Sequence, residues 1–248
     1  MSTKPSRITL QDEGLLKQLF RRGIFGLIRK NKPSNQITVP TEPDVLTLIP
    51  RRDLSKMGNN TSNMSYRAQS LRFVLIIFNP FKDELKRQAV SRLMQRTPLI
   101  RVKPGVVLAP QIRAARFRPY SKVLLRPSIF VQKLIELGSP VWYASRLELC
   151  QKSNEDVTRT LIKKTFETSV KRILEASRQL YREIGHIPEK ELIPYYKKRF
   201  ISIRNRLHYI RIKAIFFKNE LGIDMKYMVA RGLSAISRVR QRIKLCDN

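Results

Sequence analysis

Phe73-Val74-Leu75-Ile76-Ile77-Phe78 is an unbroken apolar run, rich in β-branched and aromatic residues and closed by Asn79-Pro80. It is too short for a buried helix, and its lack of polar alternation means that both faces are covered. The run therefore predicts a central, fully buried strand. Neighbouring elements have to build around it. Lys82 to Arg96 carries Leu85, Ala89, Val90, Leu93 and Met94 at helical spacing, with Asp83 and Glu84 at the start, where carboxylates complement the helix dipole. Leu99–Lys103 and Val106–Ala109 flank Pro104-Gly105, the pair that suits a type II turn, and so predict a hairpin. A second helix is expected at Ser128–Leu137, stopped by Gly138, and a last strand at Val141–Leu149.

Strand, helix, strand, strand, helix, strand is the order of a split βαβ, or ferredoxin-like, α+β unit, which places one domain at residues 71–150. From Asn154 the periodicity becomes helical. One long amphipathic helix ends at Gly185-His186-Ile187-Pro188, with Ser153 as its expected cap. A second covers Pro194–Glu220 ahead of Gly222, and a third runs from about Met225 to Leu245, so that residues 151–248 form a helical C-terminal extension. Residues 1–70 read differently. An amphipathic, Arg-rich helix is expected over Leu15–Lys30, and Asp12 and Glu13 ahead of it argue against a transit peptide. Pro33, Pro40, Pro43 and Pro50 then predict an extended basic arm, and Gly58–Asn63 a turn-rich linker.

Composition matters most through charge. The formal net charge is +31 on 248 residues, spread as +7 over residues 1–70, +11 over 71–150 and +13 over 151–248. No basic tail has been added to a neutral body. A folded chain this cationic repels itself, and a polyanion whose counterions are released on binding is the natural compensation, so the expected partner is nucleic acid, DNA or RNA. No apolar run reaches the roughly 20 residues of a membrane helix, and no membrane partner is expected. The expected location is cytoplasmic, associated with the nucleoid or a ribonucleoprotein, as a homodimer or within a larger nucleoprotein assembly.

Two stretches carry the candidate contacts. In the loop Gln111–Pro127, Arg113, Arg116, Arg118, Lys122 and Arg126 alternate with Phe117 and Tyr120, without one acidic residue. Guanidinium forks grip phosphate and aromatic faces stack on bases. The bland alternative is a solvated basic loop that Phe117 anchors to the fold. The second stretch is helical: Lys197, Lys198, Arg199, Arg204, Arg206, Arg211 and Lys213, interleaved with Tyr195, Tyr196 and Tyr209, with Arg238, Arg240, Arg242 and Lys244 as a terminal cluster. Ion pairs with Glu183, Glu189 and Glu191 are the competing use of those cations.

Signals for catalysis are weak. Cys150 and Cys246 form no CxxC pair, His186 and His208 stand alone, and no Gly-x-Gly-x-x-Gly occurs, so neither a metal nor a cofactor is expected. The acidic pairs Asp12/Glu13, Asp83/Glu84 and Glu155/Asp156 each open an expected helix, where the dipole suffices to explain them.

The apolar strand Phe73–Phe78, the helix with Lys86, Arg87 and Arg92, and the hairpin Val102–Pro110 with its Gly105-Val106 pair resemble a known group. They are similar to the ferredoxin-like domain shared by the second CRISPR-associated protein, the phenylacetate-degradation repressor and the chromate-resistance regulator. Ala214-Ile215-Phe216-Phe217 resembles the end of the regulator group's helical extension, which takes the likeness over residues 71–220. The resemblance implies nucleic-acid association, as a repressor or as a scaffold lying along a duplex. It also implies limits. Asn79 stands where the CRISPR family has a first-strand carboxylate tied to metal-dependent cleavage, and an amide is a poorer hard-cation ligand. Residues 1–70 are too short and proline-broken for the repressor family's winged helix. The sequence thus points to a non-catalytic nucleic-acid-binding protein, DNA-binding and regulatory or architectural. The alternatives are a structural RNA-binding subunit of a ribonucleoprotein and a metal-dependent nuclease using Asp83 and Glu84.

Overall fold

The computed structural model describes residues 29–31, 36–40, 45–50, 72–149, 152–185 and 190–247. Its architecture is α+β. Three short strands come first, β1 (Arg29–Asn31), β2 (Gln36–Pro40) and β3 (Val45–Pro50). Strand β4 (Arg72–Phe78) then leads through α1 (Glu84–Arg96) to the hairpin β5 (Ile100–Lys103) and β6 (Val106–Pro110). The short helix α2 (Ala114–Phe117) and a 3-10 turn at Arg118–Tyr120 precede α3 (Pro127–Glu136) and β7 (Val141–Leu149). Strand β4 lies between β7 and β6, with β5 outside β6, and every neighbouring pair is antiparallel.

The unbroken apolar run of β4 is explained by burial on both faces. Ile76 and Phe78 point to the helical side and pack with Val107 and Ala109 of β6, Val90 of α1, and Phe130, Val131 and Leu134 of α3. The Phe78 and Phe130 rings meet edge to face at 6.0 Å. Phe73, Leu75 and Ile77 point to the other side and are equally buried. Each such side chain withdrawn from water contributes about 1.5–3 kcal/mol, so this strand organises the unit.

The predicted turn is present, and Gly105 is required twice over. Its φ is +75°, and a Cβ there would lie 2.4 Å from the Phe78 carbonyl oxygen. The close approach has a purpose, since Phe78 N–H donates to the Gly105 carbonyl at 2.8 Å and ties the hairpin to β4. Helix α1 starts at the predicted cap: Asp83 accepts from the Lys86 N–H at 3.1 Å. In β7 the register slips opposite Phe73–Leu75, and Arg146 adopts φ +59°, its N–H donating to Gln111 Oε1 at 2.7 Å. This is a bulge that turns the strand's phase from Trp142 and Ala144 to Leu147.

Within the arm and linker expected over residues 31–70, the described segments 36–40 and 45–50 are extended but do not stand apart. Strands β1, β2 and β3 form an antiparallel meander, and β3 pairs with β7, extending the sheet to seven strands. The prolines mark strand ends here: Pro40 and Pro50 close β2 and β3. Arg29 and Lys30, expected at the end of a helix, are in β1. The rest of that helix and the Gly58–Asn63 run lie outside the described residues.

The described residues divide into two compact units. One holds the sheet, α1–α3 and the start of α4 (Lys152–Ile184) up to Leu161; the other takes Ile162 onward together with Lys122–Leu124. Residues 152–161 group with the sheet, although sequence periodicity assigns them to the helical extension; the helix itself is continuous through the division, and Ser153 is already helical.

The second unit contains the rest of α4, a 3-10 turn at Lys190–Leu192, α5 (Ile193–Leu221) and α6 (Lys226–Asp247). Ile173, Leu180 and Ile184 of α4 pack with Tyr196, Ile203 and Leu207 of α5 and with Ile236, Val239 and Ile243 of α6. Gly222 takes φ +67° and ends α5, and Asp224 accepts from the Lys226 N–H at 2.8 Å to open α6. That bond, with the Lys218 ammonium beside it, holds the Asp224 carboxyl below the usual carboxylate range. Gly232 of α6 leaves no room for a Cβ beside Leu207, so α5 and α6 approach closely.

Candidate nucleic-acid interface

In the first unit, the Gln111–Ser121 part of the loop folds into α2 and the 3-10 turn, both fixed from inside. Phe117 is buried, Tyr120 nearly so, and their rings meet edge to face at 6.2 Å. Sequence pattern makes these two aromatics stacking surfaces; buried and in contact with each other, they anchor the turn instead. Arg113, Arg116, Arg118 and Arg126 are exposed on this rigid turn, and Arg126 lies over the Phe117 ring at 5.9 Å. Lys122 is exposed and groups with the second unit.

The sheet adds cations that sequence spacing does not reveal. Gln111 N–H donates to the Arg72 carbonyl while its side chain caps the bulge at Arg146, which brings Arg72 and Arg146 to the start of the Arg113 loop. Leu125 N–H donates to the Arg96 carbonyl and brings the end of α1 to the loop's other end. The broken alternation of β7 at Ser145-Arg146 is the one sequence sign of this arrangement.

In the second unit, Lys197, Arg204 and Arg211 repeat at seven-residue spacing and line one exposed face of α5, with Lys198 exposed beside them. Arg206 is exposed about half a turn round the helix. Arg199 is committed elsewhere, paired with Glu183 and lying over the Tyr195 ring at 5.6 Å. Tyr196 is buried and donates to the Glu183 carbonyl at 3.0 Å. Of the interleaved aromatics, Tyr195 is half exposed.

Lys213 departs most from its expected role. The last two turns of α5 are buried on more than one side, with Ala214, Phe216 and Phe217 in the core and Phe166 against Phe217 at 5.7 Å. Lys213 is half-buried there, and desolvation pushes its ammonium down to about 7. A cation half-neutralised at pH 7 is a poor phosphate anchor. The sign of the linkage is clear: between about pH 7 and the unfolded value near 10.4, the unfolded chain binds the extra proton, so stability rises with pH across that window. Lys213→Met is expected to raise the urea midpoint at pH 7 and flatten this rise. An unchanged pH profile in the variant would show that Lys213 titrates normally.

Asp83 and Glu84 have local uses. Asp83 caps α1, and Glu84 pairs with Arg87 and accepts from Gln88 at 3.3 Å. Asn79 is half-buried; its Oδ1 finds no partner among the described residues, while its carbonyl accepts from Ser139 at 3.2 Å. Among the described residues no three His, Cys, Asp or Glu side chains are grouped to hold a metal, and no helix is long and apolar enough to cross a membrane.

Packing also groups four arginines that sequence spacing does not. Arg178 and Arg182 of α4 and Arg231 and Arg238 of α6 line one groove. The sequence signal for it is α6 itself, where six cations precede a single carboxylate at Asp247. No protein-family model matches this chain, and neither a curated protein nor a solved structure does.

Proposed function

We propose that this chain is a non-catalytic nucleic-acid-binding protein, DNA-binding and regulatory or architectural, that holds its partner mainly through phosphates. The observation that carries the reading is the Arg113–Arg126 turn. Four exposed guanidiniums stand on a segment without a carboxylate of its own, and buried Phe117 and Tyr120 fix their mutual positions. Exposed arginines on a backbone pinned in this way lose less freedom on binding, which favours a phosphate grip. The order of β4, α1, β5, β6, α3 and β7, with β4 between β7 and β6, supports a ferredoxin-like reading of the first unit.

The mode of binding has a direct signature. Each neutralised phosphate releases condensed counterions, so log affinity for duplex DNA should fall linearly with log salt. With six or more contacts, affinity is expected to drop at least about a thousandfold between roughly 50 and 200 mM salt. A titration by fluorescence anisotropy reads this slope. Binding that ignores salt, or no binding at low salt, would end the reading.

A further inference from the structure

Within the second unit, α4 and α6 enclose an open groove of about 510 Å³ lined by Ser177, Arg178, Arg182, Arg231, Ser234 and Arg238. Helix rise puts Arg178 and Arg182 about 6 Å apart along α4, and Arg231 and Arg238 about 10 Å apart along α6. Two rows of guanidiniums therefore face one channel. Among the described residues no carboxylate lines it and none of the four is ion-paired, whereas Arg87, Lys133, Arg199 and Lys218 each hold a carboxylate. Four like charges around one narrow space repel unless an anion enters it.

The Ser177 side chain is 2 % exposed, lines the groove, and its Oγ has no hydrogen-bond partner among the described residues. The other lining hydroxyl, Ser234, is satisfied by the Ala230 carbonyl at 3.1 Å. Burying a hydroxyl without a partner is unfavourable, and an anion oxygen seated among the arginines would accept from it. Tyr181 also lines the groove, carries the Arg242 guanidinium over its ring at 5.4 Å and stays 43 % exposed. Arg242 is itself fixed by donating to the Gly185 carbonyl. A steadied, half-exposed ring next to a phosphate-sized cluster of donors is the pairing that single-strand sites use.

We propose that this groove seats backbone phosphates of a single-stranded nucleic acid, with Arg178, Arg182, Arg231 and Arg238 gripping the charge, Ser177 donating to an oxygen, and Tyr181 stacking a base. The proposal rests on the nucleic-acid reading of the whole chain.

The test titrates the full chain with fluorescent oligothymidylate and, separately, with duplex DNA and with inorganic pyrophosphate. Arg178→Gln with Arg238→Gln removes two contacts, so the single-strand log–log salt slope should shrink by about 1.4 and affinity at 0.1 M salt fall about 25-fold. Arg178→Lys with Arg238→Lys keeps the charges and should keep the slope while binding more weakly, which separates a site from a folding defect. Ser177→Ala should weaken binding with the slope unchanged. Oligothymidylate binding that survives Arg178→Gln with Arg238→Gln overturns the groove and leaves the nucleic-acid reading standing. A wild-type chain that binds neither nucleic acid overturns both. Pyrophosphate binding that is lost in the Gln variant, with oligothymidylate affinity intact, would assign the groove to a free phosphate compound and overturn the strand.

Discussion

Ile76→Asp is expected to abolish the cooperative fold of the first unit. Ile76 is fully buried at the centre of β4, paired in register with Val107 on one side and Tyr143 on the other, over the core made by Phe130 and Leu134. Among the described residues no lysine or arginine is buried to receive the carboxylate. Leaving an ion unpaired inside costs several kcal/mol, about 3–5 when a partner is absent, on top of the lost apolar burial. A domain's whole stability is about 5–15 kcal/mol. Trp142 offers a clean probe, because it is the one tryptophan of the chain, is buried, and pairs with Ile77 in the same sheet. Its emission in the variant should be that of exposed indole without denaturant. A sharp urea transition of Trp142 near the wild-type midpoint would show that β4 is not the organising strand.

The legible parts of the fold are those where local chemistry and tertiary burial agree. The β4 run, the Pro104-Gly105 turn, the Asp83 cap and the Gly222 stop each follow from a few neighbouring residues, and each is present. Residues 29–50 mislead because proline reads as a break, whereas at strand ends it costs no ladder bond. Phe117 and Tyr120 mislead for another reason. An aromatic among arginines has the same sequence signature whether it stacks on a base or anchors the turn, and only burial distinguishes the two. Lys213 is similar: its charge is written in the sequence, but the desolvation that weakens it comes from burial, which only the packed structure shows. The α4–α6 groove could not be assembled from spacing at all, since Arg178 and Arg238 meet only through packing of two helices distant in sequence.

Replacing Arg113 and Arg118 with Glu should nearly eliminate duplex binding at moderate salt. Both side chains are exposed, and neither takes part in the core that Phe117 and Tyr120 make beneath them, so the Trp142 signal and the urea midpoint should stay close to wild type. Each phosphate contact on a duplex contributes a slope of about 0.9, equivalent to about 0.9 log units of affinity at 0.1 M salt. Two lost contacts therefore amount to about sixtyfold, and the four-charge reversal adds repulsion beyond that. The matched control is Lys197→Glu with Arg204→Glu, which makes the same net-charge change on the exposed row of α5. If duplex affinity depended on net charge alone, the two variants would bind equally weakly, since each leaves the chain four charges less positive. A fixed turn predicts otherwise: its arginines are pre-positioned by buried anchors and their loss should reduce the salt slope by about two, whereas a diffuse field loses affinity without losing specific contacts. Equal affinities and equal slopes in the two variants would remove the Arg113–Arg126 turn from the interface and leave only the general cationic field of the chain.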